Sequence, residues 1–196
     1  MLLHDKLKER RLILASRSPR RRELLGGCDL TFEIADGYEV EEIYPEELAP
    51  ECVAEYLSRL KADGYPWPLA EGDILITADT VVISRGRIMG KPHDRNEAIA
   101  MIEELSGHTH SVITGVTLRS AEQTISFSSR SEVTLRTLAR DEVEYYIDTY
   151  KPYDKAGAYG IQEWIGQVAI ESIEGSFYNV MGLPVAALYK QLNKFA

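Results

Sequence analysis

Segments with the pattern of strands alternate along this chain with segments that have the pattern of helices, and this alternation most constrains its fold. Leu12–Ala15 and Ile74–Ile83 are apolar runs typical of buried strands, and Thr109–Leu118 and Thr124–Leu135 have the pattern of a strand pair. Helical segments separate these runs except within the strand pair, and the sequence has neither internal repeats nor a low-complexity linker. The sequence therefore predicts a layered α/β fold in a single domain over residues 1–196.

Local capping residues set the predicted helix ends. Ser18 followed by Pro19 is typical of a helix start, and Asp94 with Glu97 forms a capping box. The two helices are expected to end at the glycines at 26–27 and at 107. The other predicted elements are a strand over 30–34, helices over 50–62 and 141–150, a strand over 167–173, and a last helix that begins at Pro184.

The charge distribution limits the partners of the chain. There are 22 Lys and Arg residues against 31 Asp and Glu residues, a net charge of −9, which argues against a general nucleic-acid binder. Residues 1–30 nevertheless hold eight basic and four acidic groups, a local charge of +4, whereas residues 31–60 carry −8. The positive charge is therefore concentrated near the start of the chain.

Several other classes of protein are disfavoured by the sequence. No apolar run approaches the ~20 residues that span a bilayer, and the N-terminal segment is charged where a signal peptide would be apolar. Cys28 and Cys52 lack the spacing of a disulfide framework or a zinc site. We expect a cytoplasmic protein with no membrane or nucleic-acid partner. The histidines, predicted to be surface or capping residues, are His4, His93, His108 and His110.

A strand, a serine-containing turn and a helix with three consecutive arginines follow one another in residues 12–25. The start of a helix presents unpaired N–H groups and partial positive charge, so cations are unfavourable there unless an anion joins them. Arginine forks match phosphate oxygens, and Ser16 can donate a further hydrogen bond. The pattern favours a polyphosphate site. A solvated basic face is the alternative, and the patch over 17–22 is too short to follow a nucleic-acid backbone.

Three further positions suggest chemistry. Asp79 places a carboxylate in a run suited to a buried strand. A buried carboxylate requires a charged partner or a metal, unless Asp79 instead begins a turn or caps a helix. Lys91 follows Gly90 and supplies a point charge, although an exposed hairpin end would also explain this pair. The small-residue segment over 150–162 suits a loop around a ligand, and Gln162 offers a donor and an acceptor for a base edge; a plain connection is the alternative.

In this order the motifs resemble the Maf family of nucleoside triphosphate pyrophosphatases, once described as septum-formation inhibitors. The matching blocks cover nearly the whole chain and are LASRSPRRRELL, TADTVV, GKPHDRNEAIAMIEELSGHTHSVITGV, DKAGAYGIQ and SFYNVMGLP. The resemblance implies a mixed, twisted sheet flanked by helices, as in the inosine triphosphate pyrophosphatases (the Maf/Ham1 fold). It also implies metal-dependent hydrolysis of a nucleoside triphosphate to the monophosphate and pyrophosphate, with Mg²⁺ or Mn²⁺ as cofactor.

The resemblance also implies roles for individual residues. Asp79 is the expected proton acceptor that activates water, and it shares the metal with an acid of the stretch 39–42, for which we favour Glu42 over Glu41. The residues expected to hold the triphosphate are Ser16, Arg20, Arg21, Lys61 and Lys91. The positions tied to base choice are Arg20, Thr80 and Gln162, and the AGAYGIQ form is similar to the dTTP/UTP subfamily.

Other functions remain compatible with the sequence. A pyrophosphatase of different base specificity, for 7-methyl-GTP or for ITP and XTP, would keep the same reaction. A nucleotide-binding regulator of septum formation would act through a cell-division protein partner, as the historical name of the family suggests. The family is also compatible with a homodimer.

Overall fold

The computed structural model of the chain describes residues 1–35 and 37–195. Strands and helices alternate as the sequence predicts. The strands are β1 (Arg11–Leu14), β2 (Phe32–Ile34), β3 (Asp73–Ser84), β4 (Arg87–Met89), β5 (Thr109–Arg119), β6 (Thr124–Leu135) and β7 (Ile170–Glu174). The helices are α1 (Leu3–Lys6), α2 (Pro19–Gly26), α3 (Pro50–Asp63), α4 (Arg95–Leu105), α5 (Arg140–Tyr150), α6 (Trp164–Ala169), α7 (Phe177–Met181) and α8 (Val185–Leu192), with a 3-10 helix over Ala156–Ala158.

The strands form one mixed sheet in the order β2-β1-β3-β5-β6-β7, with β4 paired to β3. β1 runs parallel to both of its neighbours, so that Leu12 lies opposite Phe32 on one side and Ile74 on the other. The β3–β4 and β6–β7 pairs are antiparallel. The predicted fold class, an α/β fold with a mixed sheet and flanking helices, is confirmed.

The chain forms two compact units. The first contains Met1–Asp79, Thr114–Ser129 and the chain from Gly182 onward, and the second contains Thr80–Ile113 and Arg130–Met181. The long strands β3, β5 and β6 each contribute residues to both units. The single domain over 1–196 stays a prediction.

In the first unit, helix α3 lies unusually close to strand β5. A Cβ atom on Gly115 would lie 2.2 Å from the carbonyl oxygen of Ala54, so only glycine permits this approach. Two buried hydrogen bonds fix the helix further. The Ser58 hydroxyl lies 2.8 Å from the Thr117 hydroxyl, and Thr77 Oγ1 donates to the Ser58 carbonyl at 2.6 Å. Because α3 is held on both β3 and β5, side chains near its C-terminal end have a fixed position above the sheet.

The second unit is built around an apolar core from α4 and α5. Ile102 of α4 and Tyr146 and Ile147 of α5 are fully buried in it. His110 of β5 is also buried, 2% exposed, with Nε2 2.7 Å from the Tyr159 hydroxyl. The prediction of a surface or capping role for this histidine is therefore wrong. Burial lowers the pKa of His110 to about 4, so the ring is neutral near pH 7.

Most predicted helix boundaries are confirmed, and one predicted strand is wrong over its first three residues. Ser18 accepts a hydrogen bond from the Arg21 amide at 3.5 Å and Asp94 accepts one from the Glu97 amide at 2.9 Å, as their capping roles require. The strand predicted over 167–173 is instead α6 followed by β7. Gly166 allows this helix to form against the preceding turn, because a Cβ there would lie 1.7 Å from the Ile161 carbonyl oxygen.

Within residues 1–35 and 37–195, no helix combines the length and the apolar character that a membrane crossing requires.

Candidate functional site

Lys61 brings two predicted site residues together. Its ammonium nitrogen lies 2.5 Å from Asp79 Oδ1 and 2.7 Å from Glu42 Oε1. Lys61 stands in the last turn of α3, where the helix dipole favours a cation, and Asp79 stands on β3 and is only 8% exposed. A carboxylate buried to this degree needs a charged partner, and Lys61 supplies it. The three segments that carry these residues meet in the first unit.

The loop that carries Glu42 is anchored to the end of α3. The Tyr38 hydroxyl donates to the Lys61 carbonyl at 3.3 Å. The pKa of Tyr38 is raised to about 12, mainly because the side chain is partly buried. Val40 packs over Gly64, where a Cβ atom would lie 2.6 Å from the valine Cγ2. Gly64 has a φ of −78°, which any residue adopts, so the glycine is required by space alone. Of the two acids considered, both are exposed, and Glu42 makes the contact with Lys61.

The turn after β1 gathers a serine and two arginines. Ser16 is 9% exposed, and its hydroxyl accepts from the Ser18 amide at 3.3 Å and from Arg21 Nη1 at 3.5 Å. Arg22 directs Nε and Nη2 at the Ser16 carbonyl, each at 3.4 Å. Arg21 also donates through Nε to the Gly182 carbonyl at 2.7 Å. The first turn of α2 contains no acidic residue, so its electrostatic character is strongly positive.

Arg21 of this turn interacts electrostatically with the Asp79 and Glu42 carboxylates. Burial lowers the pKa of Arg21, the Asp79 and Glu42 carboxylates oppose that shift, and the neighbouring Arg20 adds to it. Arg21 is therefore a half-buried cation that lies near enough to both acids for their charges to affect its pKa. A partly desolvated guanidinium of this kind is well suited to bind a polyanion, because its charge is screened less than it would be on the surface.

The residues can hold a metal only together with another ligand. In the described part of the chain, no group of three or more His, Cys, Asp and Glu side chains is placed to bind an ion. Asp79 and Glu42 do present two carboxylates around one position, that of the Lys61 ammonium. Mg²⁺ is commonly bound by one or two carboxylates with phosphate oxygens of the substrate completing the set. Because the Lys61 ammonium occupies that position, the carboxylates fit a divalent cation only through their remaining lone pairs, with phosphate oxygens completing its ligands.

The remaining predicted residues lie in the second unit. Thr80 is half-buried on β3, and Lys91 is exposed just after β4. The Gly157 amide donates to the Gly90 carbonyl at 3.0 Å, which holds the residue before Lys91 against the small-residue loop. Gly157 has a φ of +67°, and a Cβ there would lie 3.0 Å from the Val82 side chain. Gln162 is exposed in the turn that follows.

Sequence reasoning missed residues that support the predicted ones. Gly182 and Arg22 contact Arg21 and Ser16, and both belong to segments already singled out, the SFYNVMGLP block and the arginine run. Tyr146 bonds to the Gly160 amide at 3.0 Å and to the Glu163 carboxylate. No sequence pattern distinguishes it from an ordinary core tyrosine of an amphipathic helix.

Comparison with known proteins agrees with this picture. The family model described as Maf-like protein matches residues 11–195. This chain belongs to the Maf family. The resemblance inferred from the sequence motifs is therefore confirmed, and it holds across both compact units of the Maf chain.

Relatives of the Maf chain carry a common name. A dTTP/UTP pyrophosphatase of Porphyromonas gingivalis is 52% identical over 193 residues, 97% of this chain and 97% of that protein. Proteins of the same name from Parabacteroides distasonis and Bacteroides thetaiotaomicron are 48% and 47% identical and cover 97% and 96% of this chain, and 99% and 97% of their own lengths. A solved HAM1 protein from Coxiella burnetii aligns with a TM-score of 0.40 at 17% identity, over 64% of this chain and 73% of that one.

Proposed function

We propose that this Maf-family chain is a nucleoside triphosphate pyrophosphatase that hydrolyses dTTP and UTP to the monophosphate and pyrophosphate. The observation that carries the proposal is the cluster of Asp79, Lys61, Glu42 and Arg21, in which a buried carboxylate lies among cations. The names of relatives 47–52% identical over nearly the whole chain support the base and the reaction. Base-modified pyrimidine triphosphates are a natural extension of this substrate class.

Binding of the triphosphate is assigned to the positive residues and to the start of α2. Ser16 and Arg21 already share a hydrogen bond, so they present one donor surface, which the unpaired N–H groups of the helix start extend. Lys61 contributes a further positive charge beside Asp79. Arg20 and Lys91 complete the proposed set. These cations neutralise charge that builds up on the pyrophosphate leaving group during bond cleavage.

Asp79 is the proposed proton acceptor. Lys61 holds its Oδ1, so we assign Oδ2 to the proton of the attacking water. The water oxygen forms a bond to phosphorus while the bond between the α-phosphorus and the bridging oxygen breaks. The electron pair of that bond leaves with pyrophosphate, and the proton of the water passes to Asp79. The short contact with Lys61 fixes the orientation of the carboxylate toward the reacting group.

A divalent cation, Mg²⁺ or Mn²⁺, is proposed at Glu42 and Asp79, where it would lower the charge on the phosphate oxygens. Lys61 lies between these carboxylates and holds them together. Base choice is proposed to depend on Arg20, Thr80 and Gln162. Of these, the amide of Gln162 can donate to and accept from the edge of a pyrimidine.

The deciding experiment incubates the purified protein with a panel of nucleoside triphosphates and either metal. We expect pyrophosphate release, fastest from dTTP and UTP. Release of orthophosphate would overturn the reaction, and a preference for 7-methyl-GTP or ITP would overturn the base assignment alone. An Asp79→Asn variant is expected to lose at least about 100-fold in kcat and still bind nucleotide, as the loss of a positioned base implies. Asp73→Asn, a buried aspartate on the same strand, is the matched control and is expected to keep its kcat.

The same Asp79→Asn protein tests the alternative of a septation regulator with a cell-division partner. If its overproduction still arrests division, the cellular effect comes from binding rather than hydrolysis. The oligomeric state, for which a homodimer is proposed, is measured by sedimentation of the full chain.

A further inference from the structure

Gln162 lies in a four-residue turn with one buried and one exposed central residue. The Glu163 amide donates to the Gly160 carbonyl at 3.0 Å, which closes the turn. Between them, Ile161 is 3% exposed and Gln162 is exposed. Gly166 lets α6 pack directly against the Ile161 backbone. The turn is therefore anchored through Ile161 and presents the amide of Gln162 to its surroundings.

The Tyr146 hydroxyl binds both ends of this turn. It accepts a hydrogen bond from the Gly160 amide at 3.0 Å and donates one to Glu163 Oε2. A phenol can do both because it has one proton and two lone pairs. Burial, and then the hydrogen bond to Glu163, raise the pKa of Tyr146 far above its ordinary value, so the donating proton is retained at any physiological pH. Residues 160 and 163 are thus tied to one fully buried side chain on α5.

An ion pair holds the other oxygen of the Glu163 carboxylate. Lys155 is 8% exposed, and its ammonium lies 3.1 Å from Glu163 Oε1 and 2.7 Å from Asp154 Oδ1. The pair presses against the turn itself. A Cβ atom on Gly160 would lie 2.9 Å from Glu163 Cδ and 3.0 Å from Lys155 Cε. Both carboxylate oxygens of Glu163 are therefore occupied, and its side chain is fixed.

We propose that Tyr146 and the Glu163–Lys155 ion pair form a positioning clamp that holds the Gln162 turn for base discrimination. The inference rests on the proposed function, because it assumes that Gln162 contacts the base. A buried ion pair adds little net stability compared with apolar packing, whereas it fixes geometry well. Here both groups converge on the two residues that flank Ile161 and Gln162. The clamp acts through Gln162, so these are positioning residues.

The test measures kcat and KM for dTTP and dCTP, whose bases differ at the pairing edge, and compares the ratio of the two kcat/KM values. Tyr146→Phe removes the hydroxyl and little else, and it is expected to lower this ratio roughly tenfold, the factor that one lost hydrogen bond allows. The change is expected in KM for dTTP rather than in kcat. Gln162→Ala is expected to lower the ratio at least as far, and Tyr146→Phe in that background to cause no further loss.

Two controls separate positioning from general stability. Tyr145→Phe removes a hydroxyl from the neighbouring, half-exposed tyrosine of α5 and is expected to leave the ratio unchanged. Glu163→Gln keeps an oxygen for the Tyr146 proton but loses the ion pair with Lys155, and it is expected to lose part of the discrimination, whereas Glu163→Ala loses both contacts and is expected to lose more. These Glu163 variants also test the clamp if Tyr146→Phe does not fold.

Several results would overturn the inference. An equal loss of kcat/KM for both nucleotides in Tyr146→Phe would leave the tyrosine a purely structural role. If Tyr146→Phe lowers the ratio of the two kcat/KM values by the same factor with and without Gln162→Ala, the clamp does not act through Gln162. An unchanged ratio in Gln162→Ala alone would lead to the same conclusion. If the parent protein releases no pyrophosphate from any nucleoside triphosphate, the proposed function fails first, and the parent assay alone reveals this.

Discussion

Replacing Lys61 by Met removes the ammonium that lies between the Asp79 and Glu42 carboxylates, while an unbranched apolar stem remains. Asp79 is 8% exposed, and its contact with the ammonium is 2.5 Å long. Removing one partner of a buried ion pair costs about 3–5 kcal/mol, because the other charge is left without compensation. The Glu42 side chain is 47% exposed, so its share of the loss is at most about 1 kcal/mol.

The remaining cation of the cluster reduces this loss. Arg21 lies close enough to Asp79 for the carboxylate to influence its pKa, so part of the negative charge stays balanced. We therefore expect Lys61→Met to lower the free energy of unfolding by about 2–4 kcal/mol. In a chain of 196 residues this corresponds to a fall in Tm of about 5–10 °C. Pyrophosphate release is expected to fall at least about 100-fold, since a charge near the transition state is lost.

Urea unfolding at pH 7 measures the effect, and a double variant tests its cause. Lys61→Met combined with Asp79→Asn replaces the uncompensated carboxylate by a neutral amide. The double variant is expected to regain most of the lost stability and to remain inactive. Two results would show that Lys61 does not compensate a buried charge. One is a free energy of unfolding for Lys61→Met within about 0.5 kcal/mol of the parent value. The other is a double variant that is no more stable than Lys61→Met.

The other two predictions concern packing and pH. Gly115→Ala places a Cβ 2.2 Å from the Ala54 carbonyl oxygen and is expected to lower the free energy of unfolding, measured in urea, by about 3 kcal/mol. Gly27→Ala is the control, because its Cβ meets only contacts of 3.6 Å, and it is expected to be neutral or slightly stabilising. Equal stability of the two variants would contradict the close packing at Gly115. Burial lowers the pKa of His110 from 6.5 to about 4, so the unfolded chain binds a proton first as the pH falls. The contribution of His110 to the free energy of unfolding is expected to be complete above pH 6.5 and to fall by about 3 kcal/mol between pH 6.5 and pH 4. The His110→Gln variant is expected to lack this part of the pH dependence. The same pH profile in both proteins would exclude His110 as its source.

Sequence reasoning predicted what depends on near neighbours in the chain. The caps at Ser18 and Asp94 each involve an amide three residues away, so their pattern is visible in the sequence. It was wrong where a distant contact decides the structure. The apolar residues near Val168 have the pattern of a strand, but the close approach of Gly166 to Ile161 permits a helix there. His110 stands on a predicted strand, and nothing in its neighbours shows that the residue faces a buried tyrosine.

The residues of the candidate site also divide into those that their near neighbours in the chain reveal and those that distant contacts place. Asp79 was recognised from its own surroundings, because a lone carboxylate in an apolar strand requires a partner. Lys61 entered only through the family resemblance, since a lysine near the end of an amphipathic helix is usually solvated. Its meeting with Asp79 depends on how α3 docks on β3 and β5, through contacts such as that of Gly115 with Ala54. Sequence patterns do not contain that docking.

The positive start of α2 couples the folding of this protein to its proposed substrate. The first turn contains arginines and no acidic residue, so the helix forms against its own dipole. A bound triphosphate would relieve that repulsion in the native state and find no equivalent site on the unfolded chain. Any such ligand shifts the folding equilibrium toward the native state in proportion to the logarithm of its concentration. A cell rich in nucleotide would therefore keep more of this protein folded and beyond the reach of proteases.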